Sequence, residues 1–328
     1  MRMIIDLKTL KTNNTKGFYL PVFLVPKKNI SEMRMIIDLK TLNKRYLVPP
    51  PKFSDGVHTE IKVNVGDRRL AYQPRPTICL SSRPSHRKYL HFAINGRRYE
   101  FQVLPFGIAI APWLFTRITA PVIKFAYIQL VRIHGYLDDF LAADQEKAKL
   151  CLNMIFLVQL MTYLGFLVKP SKSETTPVQD IIYIGARFQL DRGYLCPPPD
   201  RFIKTIKMIQ SLSSQLSKML RCWMSLLGNL SSLQDIAFGG RLMLRPLQTW
   251  NNPIRSYGLE FQTQLTPRLL RDLHWWNHGE HVMSGIPLTY PMPEHHLFTD
   301  ASDSAWTISQ HRDRGIQERR TFMSTAGK

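Results

Sequence analysis

The chain has 328 residues, 44% apolar and 21% charged, a globular composition that excludes a disordered or fibrous protein. Its 44 Lys and Arg against 24 Asp and Glu leave a net charge of +20, spread from Lys8 to Lys328 rather than gathered in a tail. Such an excess favours a polyanionic partner, of which nucleic acid is the commonest.

Cys79, Cys151, Cys196 and Cys222 form no CxxC pair and are too scattered for a disulfide framework. A reducing, intracellular compartment, cytoplasm or nucleus, is therefore expected. The opening MRMIIDLKTL runs into Lys, Thr and Asn rather than a signal-peptide core and cleavage site. LCLNMIFLVQLMTYLGFLV (150–168) is uncharged over 19 residues, but Asn153, Gln159, Thr162, Tyr163 and Gly165 make it a poor membrane span. It reads as a core helix packed on a sheet, then a turn at Gly165, and no membrane partner is expected.

In chain order, a repeat comes first. MRMIIDLKTL stands at 1–10 and again, letter for letter, at 33–42. Two copies mark a duplication, not a solenoid. The second copy is the better placed, so residues 1–16 are read as a duplicated, spare segment. FYLPVFLVPKK (18–28), the second copy and LNKRYLVPPP (42–51) read as strand–turn–strand closed by prolines. RKYLHFAINGRRYEFQVL (87–104) alternates as a hairpin turning at Asn95-Gly96. LPFGIAIAPWLF (104–115) breaks into a helix starting near Ala111-Pro112, with proline at a tolerated first-turn position. VRIHGYLDDFLAAD (131–144) is a second hairpin with an Asp pair at its tip. A helix over 145–163 and strands around 166–168 and 181–190 complete an α+β unit. CPPPD (196–200) marks a boundary, with Asp200 available as N-cap of a mainly helical region reaching to about 285. HLFTDASDSAW (296–306) is strand-like.

Asp138 and Asp139 are like charges side by side among apolar residues, so something must offset their repulsion. Carboxylates are hard ligands for Mg²⁺, which binds through a few of them plus substrate phosphates. Two such ions roughly 3.5–4 Å apart serve phosphoryl transfer by activating one oxygen and stabilising another. An Asp-Asp turn alone is common in any hairpin and would not establish such a site.

The pair has company. FLVPKK, MRMIIDLKTLN, RKYLHF, FQVLPFGIAIAPWLF, GYLDDFLAA, LGFLVKPSKS and IIYIGARF occur in the order found in the reverse transcriptases of retrotransposons, which this chain resembles over about 17–306. The LPFG–AP–F spacing and the YLDD box look closest to the tyrosine-recombinase (DIRS-like) group, as do FGGRLMLRPLQTW, LHWWN and TDAS. The resemblance implies an α+β, right-hand polymerase: fingers and palm with a small antiparallel sheet over 17–195, then a mainly helical thumb or connection region over 196–290. It further implies a truncated RNase H-like start over 291–328. Asp138 and Asp139 match the catalytic metal ligands of the family's YxDD box, and Tyr136 its aromatic. Lys28 and Arg34 match the fingers cations that grip the incoming triphosphate, with Lys27 competing for the register of Lys28. Phe106 and Gly107 match the turn lining the nucleotide pocket, and Lys172 matches the lysine after the YxDD hairpin, with Lys169 where Asn is more usual. The implied cofactor is Mg²⁺ or Mn²⁺; the implied partners are an RNA or DNA template with its primer and deoxynucleoside triphosphates.

The family's third carboxylate lies on a strand shortly before RKYL. Here RLAYQPRPTICLSSRPSHRKYL (69–90) has no Asp after Asp67, and its prolines are hostile to a central strand. Asp67 itself, in VGDRRL, reads as a salt-bridged surface residue. With codons chosen to fit, Ala71–Pro84 read one base out of frame gives P-I-N-L-D-L-R-S-A-Y-L-H-V-P, whose aspartate spans the codons of Arg75 and Pro76. That string resembles the missing motif, including its tyrosine gate against the ribose 2′-hydroxyl. A frame-shifted stretch, in the gene or in its reading, is the expectation.

His274, His278 and His281 in HWWNHGEH fall at helical i, i+4, i+7, a spacing open to zinc, but no HExxH pattern is present and the Trp pair fits the family's LxWW. Asp300 matches a vestigial first RNase H ligand; only 22 residues follow Trp306, so no nuclease is expected from this chain. The functional expectation is an RNA-directed DNA polymerase domain (a nucleotidyltransferase) impaired at its first aspartate motif. The alternative is a catalytically dead remnant that retains only nucleic-acid binding. A basic binding protein with no polymerase ancestry does not account for the motif order.

Overall fold

The computed structural model describes residues 7–10, 19–26, 33–44, 70–77, 80, 82–94, 96–105, 107–168, 170, 173–214, 217–264, 266–289, 295–301, 305–312 and 317–323. The chain divides into two compact units, Met1–Ile286 and Pro287–Lys328.

The first unit opens with β1 (Leu7–Leu10), β2 (Val22–Pro26) and β3 (Met33–Ile37). β2 and β3 pair antiparallel from Val22↔Ile37 to Pro26↔Met33, as their apolar, β-branched composition favours. The expected continuation as strand stops there. The Asp38 carboxylate accepts the Lys40 N–H at 2.9 Å, and a single helical turn, Lys40–Asn43, follows. β4 (Leu70–Gln73) and β5 (Pro76–Thr77) come next, then β6 (His91–Ile94) and β7 (Arg97–Phe101), turning at Gly96 with φ 74°. That hairpin is where Asn-Gly placed it. β7 pairs β6 on one side and β1 on the other. Leu20, Leu39, Leu42, Leu90, Phe92 and Phe101 bury together as the core of this part.

The helix Ile110–Ile128 leads to β8 (Ile133–Tyr136) and β9 (Asp139–Asp144), the second expected hairpin. After the helix Lys147–Tyr163, Gly165 takes φ 84° and turns the chain into β10 (Leu167–Val168) and β11 (Glu174–Val178). An antiparallel sheet forms in the order β11-β4-β9-β8. The helices cover it, with Val122, Ala126, Leu150, Leu157 and Met161 packed on Tyr72, Ile133, Phe140 and Ala142. Among the described residues no helix is long and apolar enough to cross a membrane. The 69–90 stretch corrects one expectation. Leu70–Gln73 is a central strand, because the first proline falls just past its end, and Pro76 sits in a two-residue strand paired with Leu167–Val168.

β12 (Asp180–Tyr183), β13 (Ala186–Gln189) and β14 (Tyr194–Cys196) form an antiparallel meander. Helices Pro199–Ser213, Leu220–Leu233, Gly240–Ile254, Pro267–Asn277 and Gly279–Met283 follow, with a short pairing of β15 (Ser217–Met219) and β16 (Gln262–Gln264) between them. Pro198, not Asp200, occupies the N-cap of the first; Asp200 lies in the first turn, where its charge suits the positive end of the helix. The histidine run is not one helix either. His278 has φ −84° and ψ 111°, ending one helix and starting the next, so the assumed i, i+4, i+7 face is broken.

The second unit contributes three strands, His295–Ala301, Ala305–Arg312 and Gln317–Met323, joined as an antiparallel meander. Its first strand carries the TDA sequence.

Candidate active site in the palm hairpin

Tyr136 and Asp139 are paired residues on β8 and β9, so Leu137 and Asp138 alone make the turn. Leu137 takes φ 52°, an unfavourable conformation for a branched side chain, held because both strands are fixed by the sheet. Side chains pack closely on the glycine below the tip. A Cβ on Gly135 would stand 2.6 Å from Ile123 Cδ1 and 3.0 Å from Phe140 Cε1. Asp138 is exposed and Asp139 half-buried at the tip.

Three contacts from distant chain segments fix the tip. The buried Tyr183 hydroxyl donates to the Asp139 carbonyl at 2.9 Å and lies 3.0 Å from His134 Nδ1. Burial holds the Tyr183 phenol well above its ordinary range, so it stays a neutral donor. The Phe140 N–H donates to the Pro74 carbonyl at 3.2 Å, tying β9 to the end of β4. From that end Gln73 Nε2 donates to Asp139 Oδ1 at 3.4 Å, and Arg75 Nε lies 3.1 Å from the same oxygen. The Arg75 contact is ionic rather than an aligned hydrogen bond, since its buried Nε has no such partner. The Asp139 carboxyl is held above its ordinary range: burial raises it most, Arg75 pulls it back, and Asp138 raises it again.

Arg75 therefore stands where the out-of-frame reading would place an aspartate. A pair of oxygen-seeking ions needs carboxylate and water ligands, yet one oxygen of Asp139 already faces a cation and an amide donor. Among the described residues no group of three His, Cys, Asp or Glu could hold a metal ion, the histidines around Trp275 included. As it stands, this donor set does not fit a carboxylate-bridged metal pair.

The other expected residues are scattered in what can be said of them. Gly107 sits in the expected turn with φ 95°, a conformation that requires glycine. Asn43 pins that turn, donating to the Gly107 carbonyl at 2.9 Å and accepting the Ala109 N–H at 2.8 Å. Arg34 lies on β3 opposite Val25, and Asp300 lies on the first strand of the second unit opposite Thr307; only their backbones are described. Lys27, Lys28, Asp67, Phe106, Lys169 and Lys172 lie outside the described residues. Tyr183, His134, Gln73 and Asn43 were not foreseen, each a polar residue whose partner is remote in the chain. The run IIYI is apolar on both strand faces, so nothing in it marked Tyr183 as the inward residue.

A second feature is electrostatic. Between the helices Pro199–Ser213 and Leu220–Leu233 lies a groove of about 680 Å³ lined by Lys204, Lys207, Lys218 and Arg221, the last paired with Glu260, together with Asp200 and apolar Ile203 and Met208.

The fold is that of the reverse-transcriptase polymerases, with a small antiparallel palm sheet and a helical region behind it. It is similar to the foamy viral protease-reverse transcriptase dRH in complex with double-stranded DNA, with TM-score 0.69 and 17% identity over 98% of this chain and 53% of that one. The foamy viral protease-reverse transcriptase with double-stranded DNA gives TM-score 0.69 and 16% identity, covering 98% of this chain and 63% of that one. The same viral protein with an RNA/DNA hybrid gives 0.62 and 17%, covering 95% and 40%. This chain thus spans between two fifths and two thirds of the length of those proteins. In sequence, residues 60–188 match the family model of the reverse transcriptase (RNA-dependent DNA polymerase). That segment contains the YLDD hairpin and Arg75 alike. No curated protein sequence matches the chain.

Proposed function

We propose that this chain is an RNA-directed DNA polymerase domain of a retrotransposon, of the DIRS-like group, that keeps its grip on primer and template while nucleotidyl transfer is impaired. The observation that carries the reading is the tip of the β8–β9 hairpin, where Asp138 and Asp139 stand beside Arg75 instead of a third carboxylate. Primer with an RNA or DNA template, deoxynucleoside triphosphates, and Mg²⁺ or Mn²⁺ are the partners and cofactor that the polymerase reading brings with it. Support for nucleic acid comes from the +20 charge and from the cationic groove between the helices after Pro198. The neighbouring solved structures, bound to double-stranded DNA and to an RNA/DNA hybrid, agree with it. The second unit is read as RNase H-like, with Asp300 its first acidic position.

Two measurements test this. Filter binding of a primer–template should weaken steeply with salt, because many Lys and Arg release condensed counterions; binding indifferent to salt removes the nucleic-acid role. Primer extension with either ion should stay at background. Robust extension by the unaltered chain, abolished by Asp138→Ala, would show an intact polymerase instead.

A further inference from the structure

We propose that the Arg75 guanidinium is a built-in cation of the palm site, taking at Asp139 the place a divalent ion would need, so that this site does not load one. The root of the side chain is clamped. The Arg75 N–H donates to Ser173 Oγ at 3.1 Å, the Pro74 carbonyl before it accepts from Phe140 at 3.2 Å, and Pro76–Thr77 after it pairs with Leu167–Val168. The backbone from which the Arg75 side chain springs is thus set at the junction of β4, β5 and β9. Its Nε is buried against Asp139 Oδ1 at 3.1 Å, while the side chain as a whole is 42% exposed, so its charge is planted at the tip with its outer part in water. Gln73 Nε2 points to the same oxygen at 3.4 Å. A metal ion at Oδ1 would have to displace these two donors or share the oxygen with a guanidinium of like sign. Two adjacent carboxylates without a counter-charge would repel; here the Arg75 charge beside Asp139 offsets part of that repulsion with no ion present. The proposal rests on the polymerase reading for its biological meaning, but the metal contrast does not depend on it.

The test is Mn²⁺ binding by the full chain, followed by the electron-paramagnetic signal of the free ion and by thermal melting. The unaltered chain should show no saturable uptake into the millimolar range and no Mn²⁺-dependent rise in Tm. Arg75→Asp, which makes three carboxylates of two, should create a saturable site at least about tenfold tighter, since ligand charge sets affinity for hard cations. Its Tm should rise with Mn²⁺, because an ion that binds only the folded state stabilises it. Adding Asp139→Asn should abolish both gains. Should Arg75→Asp fail to fold, Arg75→Ala frees the pair without adding charge and should still take up more Mn²⁺ than the parent. The proposal is overturned if the unaltered chain binds Mn²⁺ saturably and Asp139→Asn removes that binding, or if neither Arg75 variant gains uptake. Salt-dependent binding of primer–template, measured on the same protein, separates the two ideas: its loss sinks the polymerase reading and leaves the Mn²⁺ contrast standing.

Discussion

The palm hairpin and the helices after Pro198 are held by different forces. In the helical region Leu220, Trp223, Leu226, Leu227, Leu230 and Leu233 recur at helical spacing on one helix and are all buried, as are Leu273 and Trp276 of a later helix. That stability is spread over many interchangeable apolar contacts. At the palm tip few residues decide. Tyr183, Gln73 and Arg75 lie 44, 66 and 64 positions from Asp139, and each makes a single polar contact to it. A change among the helices should therefore cost stability, and a change at the tip should chiefly cost position.

The contrast can be broken from the side of the helices first. Trp223 is 1% exposed, with its ring 5.1 Å from that of Trp250. Trp223→Ala should remove about 3–5 kcal/mol of stability, as large-to-small changes in cores do. Urea denaturation measures it, and a loss below about 1 kcal/mol would mean that these helices lack a shared core.

On the palm side, Gly135→Ala sharpens the comparison. Its new methyl would lie 2.6 Å from Ile123 Cδ1 and 3.0 Å from Phe140 Cε1, so those side chains must shift. A loss of about 1–3 kcal/mol is expected for such overpacking. Backbone amide exchange at the YLDD tip should quicken with it, and an unchanged exchange pattern would show that the tip is not seated as described.

Tyr183→Phe is milder in stability and sharper in position. It removes one hydroxyl bound to the Asp139 carbonyl and to His134. About 1 kcal/mol of stability should go, while nuclear magnetic resonance signals of Gly135, Leu137 and Asp138 shift. If only residues around Tyr183 move, the phenol is not what places the hairpin.

The smallest effect concerns pH. Arg187 donates through Nε and Nη2 to the Asp180 carboxylate, which holds that carboxyl below its ordinary range. A group with a depressed folded pKa stabilises the fold above its unfolded value, and that contribution fades as pH falls through the folded one. The side chain of Asp180 is 47% exposed, so screening keeps the effect small. Melting of the parent between pH 5 and pH 3, about the range where a free aspartate titrates, should fall slightly faster than that of Asp180→Asn. Identical curves would remove the ion pair from the account.

Much of this was legible beforehand. The 91–101 and 133–144 hairpins followed from alternation and turn residues, and the adjacent carboxylates marked the second as chemical. The uncharged 150–168 run was recognisable as a core helix and turn from its polar interruptions. Proline misled in two places: β4 ends one residue before Pro74, and Pro198 took the N-cap expected of Asp200. The out-of-frame reading pointed to position 75 as the one to watch, but nothing in the sequence said that Arg75 would lie against Asp139. That contact needs two segments 64 residues apart to meet.

The duplicated decapeptide separates the two kinds of information most cleanly. Its sequence by itself determined an apolar, β-prone MRMII followed by a short polar-apolar LKTL, and MRMII of the second copy is indeed a strand. LKTL has no fate of its own. In the first copy Leu7–Leu10 is a strand, paired with Arg98–Phe101 along the free edge of β7. In the second, Leu39 is buried and Lys40–Asn43 is a helical turn, with Leu42 in the same core and Asn43 pinning the Gly107 turn. Four residues differ in intrinsic preference by only about a few tenths of a kcal/mol each, and an unpaired strand edge or an apolar pocket outweighs that. Likewise the sequence supplied the charge and the carboxylate pair, and only the tertiary structure decided that the cation beside Asp139 is one of the chain's own.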